Sequence, residues 1–150
     1  MIHNEEVKRR IEHFPALCRQ AGLKVTPQRT AVYGMLAGTD VHPTPESIYS
    51  AVRRSLPNVS LATVYKILDQ LSAHGLVVKV STPDQAARYD ANTAGHHHSV
   101  CSRCGRIEDQ DLAGLARVLS EAAPPVGFHV SRVDVVIHGY CAACEERASA

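Results

Sequence analysis

No run of apolar residues approaches the roughly 18–20 needed to cross a membrane. The first ten residues, Met1 to Arg10, are polar and charged and carry no signal-peptide apolar stretch. These two absences lead us to expect a cytoplasmic chain with no membrane partner. Strong charge of either sign is also missing: 16 Lys and Arg stand against 15 Asp and Glu, a formal net of +1. A strongly basic chain would point to nucleic acid from composition alone; here such a case must rest on local charge and motif. The 150 residues, 45% of them hydrophobic, suffice for one ordinary domain or two small ones and argue against wholesale disorder.

Charge and chemistry are unevenly spread. Residues 1–90 hold 11 Lys and Arg against 8 Asp and Glu, whereas residues 91–150 hold 5 against 7. Four of the five cysteines follow residue 100, and five of the nine histidines follow residue 95. Two units are expected, a mildly basic one followed by one rich in metal-binding side chains.

The first unit is predicted to be helical. Val7, Ile11 and Leu17 have helical spacing between a possible cap at Asn4 and a stop at Gly22, with Pro15 expected to kink or divide the helix. Thr26-Pro27 and Thr44-Pro45 are two start signals, each an N-cap followed by a proline at the first helical position. The first should open a helix to about Ala37 with Val32, Leu36 and Met35 inward. The second should open one with Ile48, Val52 and Leu56 on one side, stopped by Pro57. Ser60 caps a fourth helix ending near His74 before Gly75. Leu61, Val64, Ile67, Leu68 and Leu71 should face inward, and Ala62, Tyr65, Lys66 and Asp69 outward. Leu76–Val80 and Ala87–Asp90 are expected strands around the turn Ser81-Thr82-Pro83-Asp84. Helices followed by such a hairpin have the layout of a winged helix-turn-helix, whose outward face can enter a major groove. An ordinary helical domain with a solvated face has the same pattern.

The second unit carries Cys101-x-x-Cys104 and Cys141-x-x-Cys144, two pairs separated by 36 residues. Two pairs can close a tetrahedral site around one Zn²⁺, which makes it structural. A thioredoxin-like redox pair is the weaker reading, because it would need a strand running into a helix N-terminus. A unit of about 55 residues makes a thin core and benefits from such a staple. Gly105 suits the turn after the first pair. Between the pairs, a strand-turn-strand is expected over Ser99–Asp109, a helix over 112–122, and a β-branched strand from Phe128 to Ile137 whose exposed edge can pair with a second copy. Gly95-His96-His97-His98 precedes the first pair. In a strand, His96 and His98 share one face, suited to a borderline metal, although a polar turn rich in histidine is the plainer alternative. Cys18 reads as a small buried hydrophobe.

Taken together, Gly-Leu-Lys-Val-Thr-Pro-Gln-Arg (22–29), His42-Pro-Thr, Leu-Ala-Thr-Val-Tyr (61–65), Arg88-Tyr-Asp90, His96-x-His98-x-x-Cys101-x-x-Cys104-Gly and Gly139-Tyr-Cys141-x-x-Cys144 resemble the ferric uptake regulator (Fur) family. The match runs in order from about residue 15 to 145. The resemblance implies an α+β chain: a winged-helix DNA-binding domain over 1–88, a hinge over 89–95, and an α/β dimerisation and metal-binding domain over 96–150. It implies a homodimeric, metal-dependent repressor of transcription on an A·T-rich inverted repeat of double-stranded DNA.

The resemblance places structural zinc on Cys101, Cys104, Cys141 and Cys144, and a regulatory Fe²⁺ or Mn²⁺ on His42, Asp90, His96, His98 and Asp109. Iron-sensing members usually carry Glu at the last position. The peroxide-sensing (PerR) branch carries Asp, as this chain does, and the Gly105-Arg106-Ile107 spacing favours Asp109 over the adjacent Glu108. Peroxide sensing is therefore implied, with oxidation of His42 or His96 as the signal. An iron-, manganese- or zinc-responsive repressor without peroxide chemistry is the alternative. A further metal site of many members would fall on Gly95, His97, Ala116 and Val133, of which only His97 can bind metal, so its absence is expected. Lys24, Tyr65 and Lys66 correspond to DNA-contacting positions; many members have Arg in place of Lys66, and Lys lacks Arg's bidentate fork. No HExxH or other acid–base motif accompanies the histidines, so an enzyme is not expected, nor any small-molecule substrate beyond peroxide as the signal.

Overall fold

The computed structural model describes residues 4–80, 82, 87–112, 114, 115, 117, 126–129, 133 and 135–145. The chain divides into two units, Met1–Thr93 and Ala94–Ala150. Among the described residues no helix is long and apolar enough to cross a membrane.

The first unit opens with α1 (Asn4–Gln20), α2 (Pro27–Ala37), α3 (Pro45–Val52) and α4 (Leu61–Ala73). The start signals work as chemistry requires. Thr26, Thr44 and Ser60 each hold extended backbone, and their side-chain oxygens accept from Arg29, Ser47 and Thr63 N–H respectively. Two helices stop by the same device. Gly22 and Gly75 both have φ of 68°. After α1, Leu23 N–H donates to Cys18 C=O and Gly22 N–H to Arg19 C=O; after α4, Leu76 and Gly75 repeat the pattern onto Leu71 and Ser72. Both are Schellman ends, which need a residue at home in the left-handed region.

Three expectations are corrected here. Pro15 lies inside α1 without dividing it; the proline removes a single donor, and the flanking turns supply the rest of the ladder. Asn4 lies within α1 and is not a cap preceding it. α3 ends at Val52, well before Pro57, and the chain continues in a tight turn with Leu56 N–H on Val52 C=O at 2.9 Å.

Phe14, Cys18, Val32, Leu36, Ile48, Val64, Leu68 and Leu71 are all fully buried in one cluster with Tyr89 and Val77. Fully burying a side chain of this size contributes about 1.5–3 kcal/mol. Phe14 stacks on Tyr33, centroids 4.0 Å apart. Leu61 is half-buried, while Ala62, Tyr65, Lys66 and Asp69 are exposed, as the spacing predicts. A short antiparallel pair, β1 (Val78–Val80) and β2 (Arg88–Asp90), follows α4. Most of the turn expected between them lies outside the described residues. Tyr89 and Asp90, expected in a hinge, are paired here with Lys79 and Val78.

The second unit is a three-stranded mixed sheet in the order β4-β3-β5: β3 (His97–Cys101), β4 (Ile107–Gln110) and β5 (Val136–Gly139). β3 and β4 are antiparallel, with His98 opposite Asp109; β3 and β5 are parallel, with Cys101 opposite Gly139. Of the strand expected from Phe128 to Ile137, residues 130–132 and 134 lie outside the described residues, and Val136 and Ile137 are in β5. Phe128 is exposed and outside any strand, and the pairing extends instead to Gly139, because partner availability on β3 sets strand limits that β-propensity alone does not. The helix expected over 112–122 falls mostly outside the described residues. A helical turn, Ala142–Glu145, closes the described chain.

Gly75 has nothing within 4 Å of where a Cβ would stand, so its requirement is purely conformational. Gly75→Ala should destabilise the first unit by about 1–2 kcal/mol, the cost of left-handed backbone for an L-residue, measured as a lower midpoint with unchanged slope in urea unfolding.

Candidate metal centres and nucleic-acid face

In the second unit, two knuckles present four thiols. Cys101 ends β3, Gly105 (φ 70°) turns the chain after Cys104, and Cys141 and Cys144 flank the start of the last helical turn. One Sγ from each of the four lies within 4.8 Å of the others. The Cys104–Cys141 separation is 3.8 Å, and a tetrahedron with Zn–S bonds of about 2.3 Å has edges of roughly 3.8 Å. No disulfide joins them. The donor set thus fits Zn²⁺. Arg103, between the first two cysteines, donates to Cys144 C=O at 2.8 Å and so braces one knuckle against the other. Cys141 N–H donates to Cys101 Sγ at 3.4 Å. That bond, with amide donation from Cys104 and Arg103, lowers the Cys101 thiol to about 6. A hydrogen bond with the Cys141 thiol, followed by burial, pushes Cys144 up to about 12. Cys18, apart from this cluster, is fully buried in the first unit, and burial raises its pKa.

Three harder donors stand on this sheet and just before it, His96 preceding β3. His98 faces Asp109 across the β3–β4 register. His96 Nε2 and His98 Nε2 lie 3.6 and 3.9 Å from Asp109 Oδ1. The two imidazoles meet edge to face, with centroids 4.5 Å apart. His96 Nδ1 is 2.7 Å from Ala94 C=O. A carbonyl only accepts, so Nδ1 carries the proton and Nε2 keeps its lone pair for a metal. Glu108, one residue before Asp109, forms an ion pair with Arg106 at 2.7 Å; strand alternation turns it from the side of Asp109. His97 also points away from its neighbours, its Nδ1 accepting from Val135 N–H at 3.3 Å. Of the other positions considered with His97, Ala116 lies outside the described residues.

In the first unit, His42 Nε2 lies 3.5 Å from Asp90 Oδ2, the imidazole buried and the carboxylate half-buried. The loop before α3 is laid against β2 by Tyr89 N–H on Pro43 C=O at 3.2 Å. Asn92 N–H donates to Asp90 Oδ1 at 2.7 Å and orients the carboxylate.

The outward face of α4 holds Tyr65, 39% exposed, and exposed Lys66; Lys24 is exposed in the loop before α2. Arg29 is buried, donating one nitrogen to Lys24 C=O and another to Gln70 Oε1 on α4 at 2.6 Å. It therefore fixes the Lys24 loop against the helix that bears Tyr65. Tyr65 itself donates to Glu46 Oε1 on α3 at 2.5 Å. Arg29, Glu46 and Arg103 were not singled out from sequence. A buried arginine after a cap, and an acid in the first turn of a neighbouring helix, are visible there only as helix-forming residues.

Residues 20–138 match the model of the ferric uptake regulator family. A peroxide-responsive repressor, PerR, of Staphylococcus aureus (strain Mu50) is 34% identical over 146 residues, covering 97% of this chain and 99% of that protein. The peroxide stress regulator of Campylobacter jejuni is 31% identical, with a TM-score of 0.69 over 89% of this chain and 98% of that one. The ferric uptake regulator of Pseudomonas aeruginosa, solved with manganese, is 30% identical, with a TM-score of 0.73 over 85% of this chain and 96% of that one. With two cysteine knuckles, a histidine–aspartate strand pair and a capped helical unit all in this order, the chain belongs to the ferric uptake regulator family.

Proposed function

We propose that this chain is a metal-dependent, DNA-binding transcriptional repressor that senses hydrogen peroxide, acts in the cytoplasm as a homodimer, and has no enzymatic role. The observation that carries the reading is the His96–His98–Asp109 group. It presents two nitrogens and one oxygen together, with an Asp where iron sensors of the family usually have Glu. Two imidazoles and a carboxylate suit Fe²⁺ or Mn²⁺ and are too hard for copper(I). Cys101, Cys104, Cys141 and Cys144 hold a separate structural Zn²⁺. The two sets share no ligand and differ in softness, so each metal has its own place.

His42 and Asp90, both of the first unit, complete the regulatory set in this proposal, which makes the ion a clamp between that unit and the metal-binding domain. An ion that engages both groups favours one arrangement of the two domains by its differential affinity. Bound Fe²⁺ supplies the reduction of peroxide and an oxidant beside the imidazoles, which Mn²⁺ does not. His42 or His96, once oxidised, no longer offers its lone pair, and the remaining donors hold the ion less tightly. The repressor then leaves an A·T-rich inverted repeat. Tyr65 and Lys66 meet base edges there and Lys24 meets the minor groove.

The zinc assignment is tested by substitution and by pH. Cys101→Ser or Cys144→Ser should lose zinc and most of the dimer, read by metal analysis and sedimentation, because structural zinc contributes on the order of 10–16 kcal/mol to small units. With Cys144 held up at about 12, zinc must displace its proton at neutral pH, so affinity rises with pH. Below about 6, where Cys101 also protonates, the slope of affinity against pH should steepen by one further proton in chelator competition.

DNA contacts are tested by filter binding at several salt concentrations. Tyr65→Ala should cost about 1–3 kcal/mol on the operator. Lys24→Ala should weaken binding and lower the salt slope by about one unit. Tyr65→Ala binding operator and random DNA just as the parent does would remove α4 from the interface.

The signal is tested by gel shift. Fe²⁺-loaded protein should release operator within minutes of micromolar peroxide, with 16 mass units (one oxygen, about 16 Da) gained on a histidine peptide, while the Mn²⁺-loaded form stays bound. Asp109→Glu should keep metal-dependent binding and blunt the peroxide response. His42→Ala should lose regulatory metal and DNA binding yet retain structural zinc. Equal behaviour of the Fe²⁺ and Mn²⁺ forms would instead establish a plain metal sensor.

A further inference from the structure

Tyr65 stands on the outward face of α4 with its hydroxyl already engaged. It donates to Glu46 Oε1 at 2.5 Å, across 19 residues of sequence and from one helix to another. Glu46 stands in the first turn of α3, just after the Thr44 cap. The phenol of this exposed ring is thus tied to a residue of the neighbouring helix.

We propose that Glu46 is a specificity-determining positioning residue of the DNA interface, which orients the Tyr65 ring and commits its proton. The inference rests on the DNA-binding reading above. A free phenol both donates and accepts. It can turn to suit guanine O6 or N7, thymine O4, or the amino groups of adenine and cytosine, and so discriminates poorly. With the proton held by a carboxylate, only the oxygen lone pairs face outward. The partners left are the adenine and cytosine amino groups, together with apolar contact between the ring and a thymine methyl. A permissive contact becomes a selective one.

The carboxylate has a second effect. It sets a negative charge beside Tyr65 on the face that approaches phosphates in this reading. Non-specific binding is almost wholly phosphate attraction, whereas specific binding adds base contacts that can offset the repulsion. Glu46 therefore weakens binding to the wrong sequence more than to the right one, a repulsive element serving specificity.

The test is parallel selection from one randomised duplex pool by Mn²⁺-loaded parent, Glu46→Gln, Glu46→Ala, Tyr65→Phe and the Glu46→Ala/Tyr65→Phe double variant. The parent-selected duplex is then compared with a random-sequence duplex in binding assays, and thermal melts establish that each variant is folded. Gln retains a carbonyl that accepts from Tyr65, so Glu46→Gln should enrich the parent's sequences while binding random DNA more tightly. Glu46→Ala should lose the preference at one position in each half-site, and its operator-to-random ratio should fall roughly five- to tenfold, within the range of one base contact. Tyr65→Phe should lose the same position, and the double variant no more than either single one.

The inference is overturned if Glu46→Ala enriches the parent's sequences at the parent's ratio, or if the two losses add in the double variant. Should Glu46→Ala fail to fold, Tyr65→Phe decides alone: enrichment of the parent's sequences by that variant overturns the inference. A parent that enriches no sequence at all defeats the DNA-binding reading, and the inference with it.

Discussion

The antiparallel register of β3 on β4 sets His98 opposite Asp109, and the parallel register of β3 on β5 sets Cys101 opposite Gly139, two residues before Cys141. One five-residue strand thus contributes to two groups of metal-binding side chains, with an imidazole near its start and a thiol at its end. Because side chains alternate along a strand, a slip of one residue would bring Glu108 into the place of Asp109 and turn the carboxylate away from the imidazoles. The ion pair of Glu108 with Arg106 at 2.7 Å gives that neighbouring acid a partner of its own. Which acid stands with the imidazoles, Asp109 or Glu108, is therefore a matter of strand register, which the backbone hydrogen bonds of the sheet maintain.

Closeness in sequence does not merge the two centres. His98 and Cys101 are near neighbours on β3 but have opposite parity, so they leave the strand on different sides. Their chemistry separates them further. Four sulfurs make a soft, closed tetrahedron, whereas two imidazoles and carboxylate oxygens make a harder and more open set. Ligand type thus gives one short sheet a soft donor set and a hard one. Arg103 adds rigidity on the zinc side by joining the knuckles through a carbonyl that would otherwise need another donor.

The first unit positions its outward face by similar cross-links. α4 is held from beneath by the buried cluster around Leu68 and Leu71. Its upper surface is held by two polar ties: Arg29 to Gln70, which also carries the Lys24 loop, and Glu46 to Tyr65. Apolar burial is non-directional and sets only which side of a helix turns inward. Hydrogen bonds with ionised partners are stronger and angular, and these fix where Lys24 and the Tyr65 ring stand. The expected base and groove contacts depend on that positional precision.

Helix starts, helix stops and metal-ligand types could be read directly from the chain. Each rests on interactions between residues a few positions apart: Thr26 with Arg29, Ser60 with Thr63, Gly75 with Ser72, or one cysteine with the next in a knuckle. Local backbone geometry dictates such patterns, so the residues themselves announce them. The limits of β5 were not legible, because a strand extends only as far as its neighbour offers donors and acceptors. Nor was the undivided course of α1 through Pro15, since the loss of one donor is weighed against packing on the rest of the unit. The pairs Glu46–Tyr65, Arg29–Gln70 and Arg103–Cys144 span 19, 41 and 41 positions. Sequence determined that these side chains could donate or accept; only the tertiary structure decided with whom, because a hydrogen bond requires its two atoms within about 3 Å, and over such separations packing alone brings them there.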